Sequence, residues 1–149
     1  MKRTNTLRFI YVIVVLLIGT LPLYAQQPNA RALKTLLAQQ GFSGELHGKV
    51  HFTALGTLAC HGKKLQAFFY EWEQSNAPGQ AIHASHRIVF IAPGDRYVGS
   101  YTVEDRPLKT GPETIVFGYP QKAGNAIHCG AAGLPKTVLL NGENQVLAK

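Results

Sequence analysis

The residues of this chain that could do chemistry are two cysteines, six histidines and an aromatic run around a single tryptophan. The two cysteines sit in mirror-image dipeptides, Cys60-His61 and His128-Cys129. If Cys60 lies opposite Cys129 on antiparallel strands, His61 must lie opposite His128, because residue i+1 then faces residue j−1. The cysteines would share one face as a disulfide and the histidines the other. Such a bridge closes a loop of about 70 residues, for which chain-entropy bookkeeping gives about 4 kcal/mol. Neighbouring strand residues point to opposite faces, so Cys60 and His61 do not share a metal ion.

The run from Cys60 to Trp72 reads as a hairpin turned at Gly62-Lys63, with Gly in the first central position. In that register Cys60 faces Leu65, Leu58 faces Ala67 and Gly56 faces Phe69. Alternation puts Leu58, Cys60, Leu65, Ala67 and Phe69 on one face, which reads as core. Phe68, Tyr70 and Trp72 share the other face with Lys64 and the two histidines. The expected ligand-binding set is therefore Phe68, Tyr70, Trp72, His61, His128 and Lys64, aromatics beside cations that suit an anionic or ring-bearing ligand. The rival expectation is that a helix covers this stripe.

Other chemistry is poorly supplied. There is no Gly-x-Ser-x-Gly elbow, no His-Glu-x-x-His and no phosphate-binding glycine loop. Aspartate occurs only at Asp95 and Asp105, both in turn-like sequence, which leaves no buried partner to orient a histidine. Glu71 and Glu73 share a strand parity but read as solvated edge charges. Among His47, His51, His61, His83, His86 and His128, only the inferred His61/His128 pair has a geometric argument for metal, and two ligands make a weak site. The sole methionine is Met1, so a thioether copper site is ruled out. No catalytic residue, metal or cofactor is expected.

The elements that must position these residues begin after a targeting segment. Lys2, Arg3 and Arg8 precede the apolar run Phe9–Ile18, and the stretch to Ala25 has the layout of a secretory signal peptide. Its apolar length falls short of the roughly 20 residues of a spanning helix. Removing residues 1–25 leaves 124 of 149 residues, enough for one exported domain over 26–149. With three cations gone, the formal charge drops from +7 to +4. That balance, without a dense Lys/Arg cluster, argues against nucleic acid and leaves mild attraction to anionic surfaces.

Asn29 caps a short helix over 30–40, stopped by Gly41, with Leu33, Leu36 and Leu37 as its apolar stripe. From about residue 44 the pattern is strand and turn. Val50, Phe52, Ala54 and Leu58 share one parity, and Tyr97, Gly99 and Tyr101 another. Ile88-Val89-Phe90-Ile91 is apolar on both parities, as in a strand buried on both faces. Ala92-Pro93-Gly94-Asp95 and Asn141-Gly142 are turns, and Pro107 and Pro112 keep their stretch out of a sheet centre. Seven or eight short strands with frequent turns predict a mainly β domain, a small antiparallel sandwich or barrel with one helix and one disulfide.

These observations predict an exported binding or interaction protein of a bacterial envelope, periplasmic or secreted. Its partner would be a protein, an envelope glycan or another anionic ligand. The alternatives are a small histidine- or metal-dependent envelope hydrolase and a structural envelope protein.

Overall fold

Asn29 does what its position predicts: its side chain accepts from the Ala32 amide at 2.8 Å and starts helix α1 (Ala30–Gln39). Gly41, at a φ of 78°, lets the chain leave, and Leu33 and Leu37 are completely buried. The computed structural model describes residues 28–74, 83–118 and 125–149. The expected signal peptide over 1–25, the expected loop at 75–79 and most of the expected turn after Pro120 lie outside the described residues.

Among the described residues, nine antiparallel strands follow, in three open sheets. The large sheet runs β1 (Lys49–Cys60), β2 (Lys63–Gln74), β3 (His83–Ala92) and β4 (Arg96–Val103), neighbours in sequence being neighbours in space. The first hairpin turns at His61-Gly62, not at Gly62-Lys63. Both residues have positive φ, 49° and 71°, the backbone of a two-residue type I′ turn. Cys60 therefore faces Lys63, Leu58 faces Leu65 and Gly56 faces Ala67. This register differs from the expected one by two residues in pairing, which conserves parity, so the assignment of faces survives.

Two bulges redirect side chains in ways simple alternation misses. Ala54 faces Phe68 while Gly56 faces Ala67, leaving Leu55 as an extra residue. Val50 and Phe52 consequently pack on the helix side and Leu58 and Cys60 on the opposite side, although all four share a parity. Val98 is the extra residue of β4, since Phe90 faces Gly99 and Ile91 faces Tyr97. Tyr97 thus packs toward the helix and Tyr101 away from it. A glycine with positive φ adjoins each bulge, Gly56 at 118° and Gly99 at 153°. A Cβ on Gly99 would stand 2.8 Å from the Ala148 carbonyl, because the terminal segment docks against β4 through both backbone bonds between Ser100 and Ala148.

The large sheet is covered on both faces. On one, Leu33, Leu37 and Phe42 close over Phe68, Tyr70, Val89, Ile91 and Tyr97. On the other, Leu58, Leu65, Phe69, Ile88, Phe90 and Tyr101 meet Ile115, Phe117, Ile127, Val138 and Leu140. The latter come from β6 (Thr114–Phe117) and β7 (Ala126–His128), which form one small sheet with β5 (Pro107–Thr110), and from β8 (Thr137–Leu140), which forms a hairpin with β9 (Glu143–Val146). Pro107 begins an edge strand, as its missing N–H requires. The layers are thus helix, large sheet and two small sheets.

Cys60 and Cys129 are joined, with Cα atoms 5.2 Å apart. The bridge ties the end of β1 to the residue following β7, and β7 pairs with β6 rather than with β1. The expected histidine pair is accordingly not formed. His61 sits in the turn, its Nδ1–H donating to the Ala131 carbonyl, whereas His128 faces Thr114, with Nδ1 3.1 Å from the threonine hydroxyl.

Candidate functional site

The six residues of the expected site separate. Phe68 and Tyr70 are buried beneath α1, with Tyr70 completely inaccessible and its hydroxyl donating to the Glu45 carbonyl. Burial pushes the Tyr70 phenol up to about 12 against a carbonyl bond and a nearby Arg87 that pull it down. Trp72 is half-buried at the rim of the same cluster and donates its Nε1–H to the His47 carbonyl at 2.8 Å. The three aromatics do share the predicted face, and the helix lies on it. His61 and His128 are exposed.

Lys64 has a different setting. The helix stops short of the hairpin end of the sheet, and the uncovered part forms a cleft of about 730 Å³. Its floor carries Thr57, Lys64 and Gln66, the polar continuation of the face that bears Phe68. Its walls are the start of the helix at Asn29 and Ala32 and the turn Pro93-Gly94-Asp95. That turn is pinned by Gln40, whose Nε2 donates to the Asp95 carbonyl and whose Oε1 accepts from the Tyr97 amide, both at 2.7 Å. Lys64, Gln66 and the Asp95 carboxylate make no side-chain hydrogen bond or ion pair among the described residues. They are free to meet a ligand.

At the other end of the strands, on the opposite face, pairing builds a row that sequence reading missed. His51 faces Glu71 and Glu71 faces His86, so two imidazoles flank a carboxylate on three adjacent strands. Glu71 takes two contacts from Arg106, whose guanidinium lies over the Phe69 ring at 5.3 Å. In the next row Lys49 faces and bonds Glu73 at 3.0 Å. That bond holds the Glu73 carboxyl below its ordinary range, with smaller help from the lysine charge, His51 and His86. His86 donates Nδ1–H to the Glu104 carbonyl at 2.9 Å. As they stand, no three His, Cys, Asp or Glu side chains among the described residues gather around one point in a metal-holding arrangement.

Arg87 completes the polar groups of the helix-side face. It donates to Ser43 Oγ at 3.2 Å, reaches toward Ser100 Oγ at 3.5 Å and lies 5.6 Å from the Phe42 ring centre. Its Nε is buried without a partner among the described residues. The hydroxyl bond and the aromatic face stabilise its charge and hold the segment after α1 against the sheet.

Compared with known proteins, the chain matches no family model, no curated protein and no solved structure.

Proposed function

We propose that this is an exported binding protein whose ligand enters the cleft between the helix start, the β1–β2 hairpin and the Pro93–Asp95 turn. The observation that carries the reading is the gathering of polar side chains without a partner among the described residues, Lys64, Gln66 and Asp95, on the part of the sheet face that the helix leaves open. Clefts with a few placed polar groups among apolar walls are where small ligands and peptide segments bind. Ala32, Ala92 and Pro93 supply the apolar wall. Lys64 suits a carboxylate or an anionic sugar, and Gln66 and Thr57 add bonds that fix orientation.

The test is titration of the isotopically labelled protein with short peptides and with neutral and anionic envelope oligosaccharides, followed by amide chemical shifts. The reading expects a saturable response centred on Thr57, Lys64, Gln66 and Asp95, and a loss of at least tenfold in affinity in Lys64→Glu. Saturable binding that shifts a different surface and is indifferent to Lys64→Glu overturns it, as does no binding across the panel.

A further inference from the structure

We propose that the outer edge of β1 pairs antiparallel with the same edge of a second copy of this chain, joining two large sheets into one across a two-fold axis at Phe52. This does not depend on what the cleft binds.

The first support is an asymmetry between the edges of the large sheet. Peptide groups alternate along an antiparallel pair, bonding the neighbour at one residue and pointing away at the next. On β4 the outward groups of Ser100 are both taken by Ala148. On β1 the hairpin fixes the alternation. Cys60 and Lys63 flank a two-residue turn and exchange bonds, so Ala59 points outward, and its N–H does reach the Pro112 carbonyl. Counted on through the bulge at Leu55, the outward residues of the regular part of β1 are Val50, Phe52 and Ala54. Their outward peptide groups have no backbone partner among the described residues. Such a row is a template for another strand.

The second support is that this row is its own complement. Its residues are spaced symmetrically about Phe52, so an antiparallel copy sets Phe52 against Phe52 and Val50 against the partner's Ala54. Each facing pair brings outward groups to outward groups and exchanges two backbone bonds. On the helix-side face, the half-buried Val50 and Phe52 and the exposed Ala54 of both copies then form one apolar strip. On the other face His51 meets the partner's Thr53. Lys49 lies away from the partner's Lys49 and keeps its bond to Glu73, so no like charges meet. The third support is closure. The bulge ends the regular stretch at Ala54 and Pro112 caps Ala59, which keeps the pairing from sliding toward the hairpin. With β4 capped at Ser100, among the described residues the large sheet offers a single long free stretch, and assembly stops at a two-fold dimer.

An interface this small should dissociate at about micromolar concentrations. Sedimentation velocity of the purified protein from about 1 to 500 μM should therefore show a monomer–dimer equilibrium. Proline at position 54 removes an outward N–H and leaves the bonds to β2 intact, so Ala54→Pro should dimerise roughly tenfold more weakly or worse. Amide exchange of the unsubstituted protein makes the test independent of how that variant folds. Protection at Val50, Phe52 and Ala54 should rise with concentration, while Thr53, which faces Phe69 and bonds inward, stays protected throughout. A monomer at every concentration, growth beyond the dimer, or a dimer as stable in a folded Ala54→Pro overturns the proposal. So does exchange at Phe52 and Ala54 that is indifferent to concentration.

Discussion

Trp72 and Tyr70 show how one polar atom on a large ring decides whether a side chain is site or core. Each spends its single donor on a backbone carbonyl of the segment that connects the helix to the first strand, Trp72 on His47 and Tyr70 on Glu45. Phe68 has no such handle and is held by packing alone. Removing the donor from an otherwise unchanged ring, Tyr70→Phe, should cost about 1 kcal/mol, and Trp72→Phe, which gives up part of the indole's packing as well as its N–H, about 1–2 kcal/mol. Phe68→Ala should cost about 3–5 kcal/mol, because it opens a cavity under the helix. Urea unfolding of the three variants checks the order. An unchanged midpoint in Phe68→Ala would remove the helix from that face. Sequence parity put these three rings on one side correctly. The pattern of apolar residues could not say what covered them, since Leu33 and Leu37 suit a helix packed anywhere on the sheet. Of the expected site residues Lys64 lines the cleft described above, and it does so because the helix begins where it does.

At the scale of elements, the register of the first hairpin decides which partners meet. Placing the turn at Gly62-Lys63 uses glycine in the first central position. The chain instead uses His61-Gly62, where glycine takes the second and His61 accepts positive φ. Faces were legible because the two registers share parity; cross-strand partners were not. The bulges hid more. Gly56 and Gly99, isolated in strand-like sequence, were the available warnings, since a lone glycine in a strand often marks a bulge or a close backbone approach. With the turn at His61-Gly62 and Leu55 counted as an extra residue, His51 falls opposite Glu71; in the expected register the same bulge would have set it opposite Glu73. The disulfide was legible from the cysteine count and from an N-terminal stretch that reads as a signal peptide, but not its role as a tie between the large sheet and the residue after β7. Because both cysteines act through that one tie, Cys60→Ala and Cys129→Ala should each cost about 2–5 kcal/mol. The double variant should be no worse than either single one. Thermal unfolding of the three proteins measures this, and additive losses would show that the cysteines contribute separately.

For the whole molecule, three tyrosines join the layers. Tyr70 ties the helix-side segment to the sheet through Glu45, and Tyr101 ties the opposite layer through the Pro135 carbonyl. Tyr97 donates to Ser100 Oγ at 3.0 Å beside the docked terminal segment. Burial is the leading cause that raises all three phenols above their ordinary value near 10, Tyr70 to about 12. The sign follows from linkage. A phenol whose folded pKa lies above its unfolded one keeps its proton longer in the native state, so the unfolded chain binds fewer protons as pH rises. The stabilisation is complete below about pH 10 and is lost as pH climbs toward the folded values. Urea midpoints measured from about pH 8 to 12 should therefore hold steady and then fall steeply above 10. Phenolate absorbance should lag behind that of unfolded tyrosine until the protein opens. Tyr101→Phe and Tyr70→Phe should each start from a lower midpoint and lose less of it across the alkaline range, because each removes one group whose ionisation drives unfolding. If the slopes of wild type and both variants coincide, the alkaline transition belongs to other groups, and the tyrosines hold the layers by packing and hydrogen bonds alone.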